Sequence, residues 1–289
     1  MSMAFGLAQV EISTAPLALA VAAACVISAL TGVFVPSRIN GPRRIAADET
    51  SLSFLGIAGI ALATWCLAAS TFLPVYNALF PQQSYPATLT NMPQMGKILL
   101  NIWIDSLVLI AMIAGVLLYR GRKGFVLMGL SLSRIPRAFA GGIISLLVIL
   151  PTVLLVNVLT DNMWYALHKT VPAAHDMLLA LGNADQPWQR FAIIFAVSLL
   201  APIAEEMFFR GTIQNLFRYT LGSPWGATLL SAAIFAVVHD WWSQPPIFFL
   251  GICLGYVYER TGNLWTCFFI HALFNTASMS VYWWEIHRH

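Results

Sequence analysis

Eight apolar segments, most of them long enough to cross a bilayer as helices, dominate this chain and leave little sequence between them. Lipid offers no hydrogen bonds, so a helix, which pairs its backbone groups within one segment, suits such a chain. Only 9% of the 289 residues are charged, far below the roughly 25% of soluble proteins. The sequence predicts an all-α, polytopic transmembrane helix bundle of about eight spans. The predicted spans are residues 15–35, 52–73, 98–119, 138–159, 189–218, 225–242, 246–258 and 264–284.

The loops between these segments differ in charge from one side of the membrane to the other. Of the 15 Lys and Arg, ten fall on one side, four on the other, and Arg210 lies within an apolar segment. Cytoplasmic loops carry the excess of basic residues, so we expect a multi-pass protein of the plasma (inner) membrane with both termini outside. The first segment has no basic region before it and is expected to be retained. A net charge of +3 without a basic run indicates lipid, and no nucleic acid, as a partner.

Three ionised side chains interrupt the fifth apolar segment, at Glu205, Glu206 and Arg210. A charge at the centre of a bilayer costs at least about 2.5–3.5 kcal/mol on insertion scales, so these groups need partners or a polar cavity. Glu206 and Arg210 are four residues apart with the acid first, which favours an ion pair on one helix face. Glu205 is rotated by about 100° around the helix and cannot make the same contact. We therefore expect one carboxylate to be paired and the other to be free.

Two histidines and an asparagine occupy the later apolar segments. His239 ends an apolar run, and His271 and Asn275 share one helix face at positions i and i+4. A glutamate shielded from bulk water can act as a general base, and a neutral histidine can orient the water or carry its proton. An imidazole and an amide can stabilise the oxyanion of peptide hydrolysis. These residue types indicate a hydrolase, although a satisfied buried network that fixes helix packing would also explain them.

The polar residues fall into three ordered motifs, EExxxR at 205–210, FxxxH at 235–239 and HxxxN at 271–275. Together these motifs resemble the type II CAAX prenyl endopeptidases and the bacteriocin-processing or self-immunity (Abi) proteins grouped with them as CPBP intramembrane proteases. The resemblance covers residues 189–280. We therefore divide the single membrane domain into N-terminal transmembrane helices with an interfacial segment, residues 1–137, and a catalytic transmembrane core, residues 138–289.

The resemblance implies a role for each polar motif residue. Glu205, together with His239, would activate the attacking water. His271 and Asn275 would form an oxyanion hole or serve as ligands. The implied site residues are therefore catalytic Glu205, His239, His271 and Asn275, with Glu206 and Arg210 supporting their geometry.

The sequence leaves the cofactor and the function class with alternatives. Glu205, His239 and His271 could hold Zn²⁺ with an open position for water, or the glutamate could act without a metal, and the chain has no HExxH motif. The expected function is endopeptidase cleavage of a membrane-associated, lipid-anchored or prenylated substrate. The alternative is a non-enzymatic membrane immunity or scaffolding protein that uses the same polar cluster for binding.

Overall fold

Helices dominate the residues that the computed structural model describes, which are 51–79, 94–169 and 176–288. No strand occurs within these ranges, so the predicted all-α class is confirmed. The first predicted span, residues 15–35, lies outside the described residues. The helices are α1 (Ser51–Leu79), α2 (Gln94–Arg120), α3 (Lys123–Leu127), α4 (Ile135–His168), α5 (Asp176–Gly182), α6 (Pro187–Leu221), α7 (Pro224–Val237), α8 (Gln244–Thr261) and α9 (Leu264–His287).

Five stretches of the described helices are long and apolar enough to cross a membrane. α7 is a shorter apolar helix of 14 residues. At 1.5 Å per residue it is about 21 Å long, whereas the hydrocarbon core is about 30 Å thick. The chain is a polytopic membrane bundle, as predicted. The five stretches are Leu55–Phe72, Ile98–Arg120, Lys123–His168, Pro187–Leu221 and Leu264–His287.

The connection between α7 and α8 begins earlier than the apolar pattern predicts. α7 ends at Val237, inside the predicted segment 225–242, so His239 belongs to the connection and not to a helix. Hydrogen bonds within the connection pair its backbone: His239 N–H donates to Ala236 O at 3.0 Å, and the Gln244 side chain donates to His239 O at 3.3 Å. The predicted span therefore ended too late, because it was extended across this turn to the tryptophans Trp241 and Trp242.

Two other helices are longer than their predicted spans. α8 extends beyond 246–258 at both ends, and α4 extends well beyond 138–159 before Lys169 ends it in the left-handed conformation (φ 57°). A hydropathy pattern detects only the apolar part of a helix, whereas backbone hydrogen bonding continues into polar residues. A short helix, α5, lies between α4 and α6, in a part of the chain where no span is predicted.

Residues 124–137, which lie between the third and fourth predicted spans and end the region 1–137, pack onto the turn between α8 and α9. This segment contains α3, a short 3-10 turn and the start of α4. Gly129 has φ of 86°, and a side chain at this position would collide with the Gly262 carbonyl oxygen. Leu264 N–H donates to Gly129 O at 3.2 Å. Glycine is therefore required here both for its conformation and for the close backbone contact that joins this segment to the last two helices.

α8 approaches its neighbours closely through two glycines spaced four residues apart. A Cβ at Gly251 would lie 3.1 Å from the Cβ of Ala232 in α7. A Cβ at Gly255 would lie 2.9 Å from the Gln214 side chain of α6 and 2.9 Å from Thr228 of α7. Small residues at this spacing let membrane helices pack backbone to backbone, so polar side chains of α6 can reach the carbonyl groups of α8.

Candidate active site

The helix that carries the two glutamates is not a regular α-helix. Two π-helical turns, Ala196–Leu200 and Phe209–Gln214, flank the α-helical stretch Ala201–Phe208. A π-turn leaves some backbone carbonyls without their usual partner, and the Thr212 hydroxyl donates to one of them, Met207 O, at 3.1 Å. Such turns often occur at functional sites, and here they lie on either side of Glu205 and Glu206.

Glu206 is completely buried and has two charged or polar partners. Its Oε1 atom accepts a hydrogen bond from Arg210 Nη1 at 2.8 Å and lies 3.0 Å from His271 Nδ1. Its side chain is 0% exposed, and that of Arg210 is 1% exposed. The ion pair expected from the four-residue spacing is therefore present, and His271 of α9 joins it. Because removing one member would leave a buried charge unpaired, this cluster ties α6 firmly to α9.

Glu205 has different surroundings, although it is the adjacent residue. Its side chain is 27% exposed, and its Oε2 atom lies 3.7 Å from His271 Nε2. Among the described residues this oxygen has no hydrogen-bond partner. Asp105 of α2 is close enough to interact electrostatically with the Glu205 carboxylate. The spacing of the motif residues could not reveal this contact, because α2 contains none of the motifs. Glu205 is the free carboxylate that the sequence predicts.

The contacts of His271 define which of its nitrogens carries hydrogen. The Glu206 carboxylate, paired with Arg210, can only accept hydrogen bonds, so the Nδ1–H of His271 donates to it. In a neutral imidazole the other nitrogen, Nε2, is then an acceptor. Glu206 thus orients the ring and selects its tautomer, and the Nε2 lone pair faces Glu205.

Arg210 is held by a backbone carbonyl and an aromatic ring as well as by Glu206. Its Nη2 atom donates to Gly251 O at 3.5 Å, and its guanidinium carbon lies 4.5 Å from the centre of the Phe235 ring. Phe235 is the first residue of the FxxxH motif. Three helices, α6, α7 and α8, therefore meet at the Arg210 side chain.

His239 and Asn275 lie near this cluster but bind other groups. His239 Nδ1 lies 2.6 Å from Phe235 O and, since a carbonyl only accepts, donates to it. Asn275 Nδ2 donates to Val197 O at 2.9 Å, in the first π-turn of α6. The structure brings Glu205 together with His271, not with His239: in the described contacts His239 forms no ion pair with a carboxylate. The pairing of His239 with Glu205, which the resemblance implies, is not found in this arrangement.

The proposed zinc ligands Glu205, His239 and His271 do not assemble into a ligand set. Within the described ranges, no group of three or more His, Cys, Asp or Glu side chains is placed to hold a metal ion. His271 and His239 each use Nδ1 for a hydrogen bond, to Glu206 and to a backbone carbonyl, which leaves Nε2 as the nitrogen available to a ligand. The described structure does not bring these nitrogens together with Glu205 as a ligand set, so the residues in this arrangement do not fit the metal alternative.

A second buried polar cluster, further along α6, was not predicted from the sequence. Gln214 Nε2 donates to Gly255 O and to Glu259 Oε1, each at 3.0 Å, and Arg218 Nε lies 3.5 Å from Glu259 Oε2. A signal was present: Gln214 and Arg218 continue the four-residue spacing of Glu206 and Arg210 along one face of α6. Only the structure, however, places Glu259 of α8 opposite that face.

Fold and site together define an integral, multi-pass membrane protein whose ionisable side chains are gathered inside the helix bundle. Residues 187–277, from the start of α6 into α9, match the family described as Type II CAAX prenyl endopeptidase Rce1-like. The match covers less than half of the chain, and the helices within it contain all three motifs from which the resemblance was predicted.

The chain is also similar to a curated protein over part of its length. The UPF0177 protein YaiF of Lactococcus lactis subsp. lactis (strain IL1403) is 41% identical over 83 residues. The match spans 28% of this chain and 36% of the relative. The name of the relative states no activity. No solved structure matches the chain.

Proposed function

We propose that the protein is an intramembrane endopeptidase of the CAAX-protease-like type that hydrolyses a peptide bond in a membrane-associated or prenylated substrate. The observation that carries this proposal is the difference between the two adjacent glutamates. Oε1 of Glu206 is bound by both Arg210 and His271, whereas the Glu205 side chain is 27% exposed and its Oε2 atom, which forms no hydrogen bond among the described residues, faces the other nitrogen of His271. A packing network requires only the first arrangement. A free carboxylate beside an oriented imidazole is suited to activating water.

The position of the nucleophile follows from the two atoms that face each other. Glu205 Oε2 and His271 Nε2 are both acceptors and lie 3.7 Å apart. A water molecule can bridge such a pair by donating one hydrogen to each acceptor. Its lone pairs then point away from both groups, towards a substrate carbonyl. This geometry supports Glu205 as the base and His271 as the group that orients the water.

The proposed reaction is a direct hydrolysis without a covalent enzyme intermediate. The water oxygen bonds to the carbonyl carbon of the substrate, while the proton of the water passes to Glu205. The carbon–nitrogen bond then breaks, Glu205 gives its proton to the leaving amine, and the other fragment leaves as a carboxylic acid. Each carboxylate and imidazole of the site returns to its starting state, so the cycle consumes only water and the peptide bond.

We propose that two residues stabilise the oxyanion of this reaction. Asn275 Nδ2 has a second hydrogen beyond the one that it donates to Val197 O. His239, held through Nδ1 by Phe235 O, presents Nε2 as a donor when the ring is protonated. We assign both residues to the developing negative charge, where each donor of an oxyanion hole typically contributes about 10²–10³-fold in kcat.

The test is a cleavage assay with the purified full chain in liposomes, using matched prenylated and unprenylated reporter peptides. We expect cleavage of at least one reporter by the wild-type protein and none by Glu205→Ala. Faster cleavage of the prenylated reporter would identify the lipid as a recognition element. Full activity in Glu205→Ala would overturn the proposed mechanism, and absence of cleavage of all reporters would favour a binding function.

A further inference from the structure

We propose that Phe235 is a positioning residue that holds the Arg210 guanidinium against Glu206 by a cation–π contact and thereby sets the orientation of His271. The guanidinium carbon of Arg210 lies 4.5 Å from the centre of the Phe235 ring, and each residue is 1% exposed. Cation–π attraction is strongest where water is excluded. The proposal deepens the proposed function and rests on it, because it concerns the same site.

The hydrogen bonds of Arg210 leave room for such a contact. A guanidinium has five N–H donors, but the described partners are Glu206 at 2.8 Å and the Gly251 carbonyl at a long 3.5 Å. Its Nε atom has no hydrogen-bond partner among the described residues. The aromatic face of Phe235 supplies negative electrostatic potential to a buried cation that would otherwise depend on one strong hydrogen bond.

The same ring also contacts the site histidines. Its centre lies 4.7 Å from that of the His239 imidazole and 5.8 Å from that of the His271 imidazole, both in T-shaped geometry. α8 leaves space for the ring by means of Gly251, where a Cβ would lie 3.3 Å from a Phe235 ring carbon. One apolar side chain therefore touches three polar residues of the site, which come from α6, α9 and the α7–α8 connection.

Three successive contacts connect Phe235 to the orientation of His271. Phe235 holds Arg210, Arg210 holds Glu206, and Glu206 accepts from Nδ1 of His271. If the guanidinium moved, Glu206 would move with it, and the Nε2 atom of His271 would no longer face Glu205. Phe235 touches none of the reacting atoms in the proposed mechanism. We therefore expect changes of the ring to alter kcat and to leave KM unchanged.

The experiment replaces Phe235 with phenylalanines that carry one, two or three ring fluorines, incorporated at a single reassigned codon. Fluorine withdraws charge from the ring face and changes the ring volume little, so the series weakens the cation–π contact while preserving packing. Both kcat and KM are measured in the liposome assay, and the melting temperature is measured in detergent. The matched control is the same series at Phe268, which is buried and contacts Trp265 and Phe269 but has no cation over its ring in the described structure.

The proposal predicts that kcat falls stepwise with fluorine number, by about tenfold for the trifluorinated ring, at constant KM. The melting temperature should fall in the same order at Phe235 and stay level at Phe268. Constant kcat and constant melting temperature across the Phe235 series would overturn it. If the wild-type protein cleaves no reporter, the endopeptidase proposal fails, but the melting temperatures still test the contact. A stepwise decrease then supports the positioning role in a binding site, and a level series overturns it.

Discussion

Two buried polar clusters lie on the same face of α6, and they differ in one respect. In the first cluster, Glu206 binds Arg210 and His271; in the second, Glu259 of α8 binds Gln214 and Arg218. Both join helices that lipid could not hold together by the hydrophobic effect. Of the two, only the first cluster has a further carboxylate beside it. Oε2 of Glu205 faces the imidazole of His271, which the cluster orients. Buried polar groups thus serve packing in both places, and reactivity requires a further group that packing does not use.

The sharpest way to test this distinction is to remove the additional acid and keep its shape. We expect Glu205→Gln to lower kcat by about 10²–10⁴-fold, the usual contribution of a general base. We expect the free energy of unfolding to stay within about 0.5 kcal/mol of wild type, because Oε2 of Glu205 forms no hydrogen bond among the described residues. The measurements are cleavage in liposomes and reversible unfolding in detergent. An immunity or scaffolding protein would instead keep its phenotype in this variant.

The neighbouring acid should behave in the opposite way. Glu206→Ala leaves Arg210 buried without a counter-charge, which typically costs about 3–5 kcal/mol. We expect a large loss of folded protein together with the loss of activity, measured by unfolding in detergent and by cleavage per folded molecule. The Glu205→Gln variant is the matched control. Equal stability of the two variants would contradict the division of roles between the adjacent glutamates.

A substitution in the second cluster is expected to lower the stability of the protein by a smaller amount and to leave catalysis unchanged. Glu259→Gln removes the ion pair with Arg218 but keeps an amide that can accept from Gln214, so we expect about 1–2 kcal/mol of destabilisation. The kcat per folded molecule should stay at the wild-type value, because Glu259 contacts no residue of the first cluster. Unfolding and cleavage are measured on one preparation. A selective loss of kcat without loss of stability would show that the two clusters are coupled functionally.

The smallest effect is expected from removal of metal ions. The described residues gather no metal-ligand set at Glu205, His239 and His271, so we expect activity to be unchanged after dialysis against a strong chelator. The assay is the liposome cleavage reaction with metal analysis of the dialysed protein. Loss of activity that returns with added Zn²⁺ would contradict the mechanism and would require the two histidines to move towards Glu205 in the active state.

Much of the helix content was predictable from local pattern. The apolar runs identified the described helices α1, α2, α4 and α6–α9, because lipid requires each span to pair its own backbone groups. The end of α7 was placed too late, since the predicted span was extended across the turn as far as its tryptophans, Trp241 and Trp242. The extensions of α4 and α8 were missed for the converse reason, that helices continue into polar residues.

The candidate site was predictable to the extent that it depends on one helix. The spacing of Glu206 and Arg210 within α6 predicts their ion pair, and the rotation of Glu205 predicts that it stays apart. Contacts between different helices could not be predicted in this way. Spacing along the chain carries no information on whether His239 or His271 faces Glu205, or on the approach of Asp105 and Phe235.

The sequence by itself therefore determined the membrane bundle, the buried charges and the separation of two adjacent carboxylates, because each follows from helix geometry and the cost of desolvation. The tertiary structure alone decided which imidazole each carboxylate contacts, which nitrogen of His271 carries hydrogen, and where a cation meets an aromatic face. These contacts depend on how closely α6, α7, α8 and α9 approach one another. A side chain at Gly251 or Gly255 would hold the helices further apart. The sequence alone does not show which neighbouring helix these glycines face, so their role becomes visible only in the packed structure.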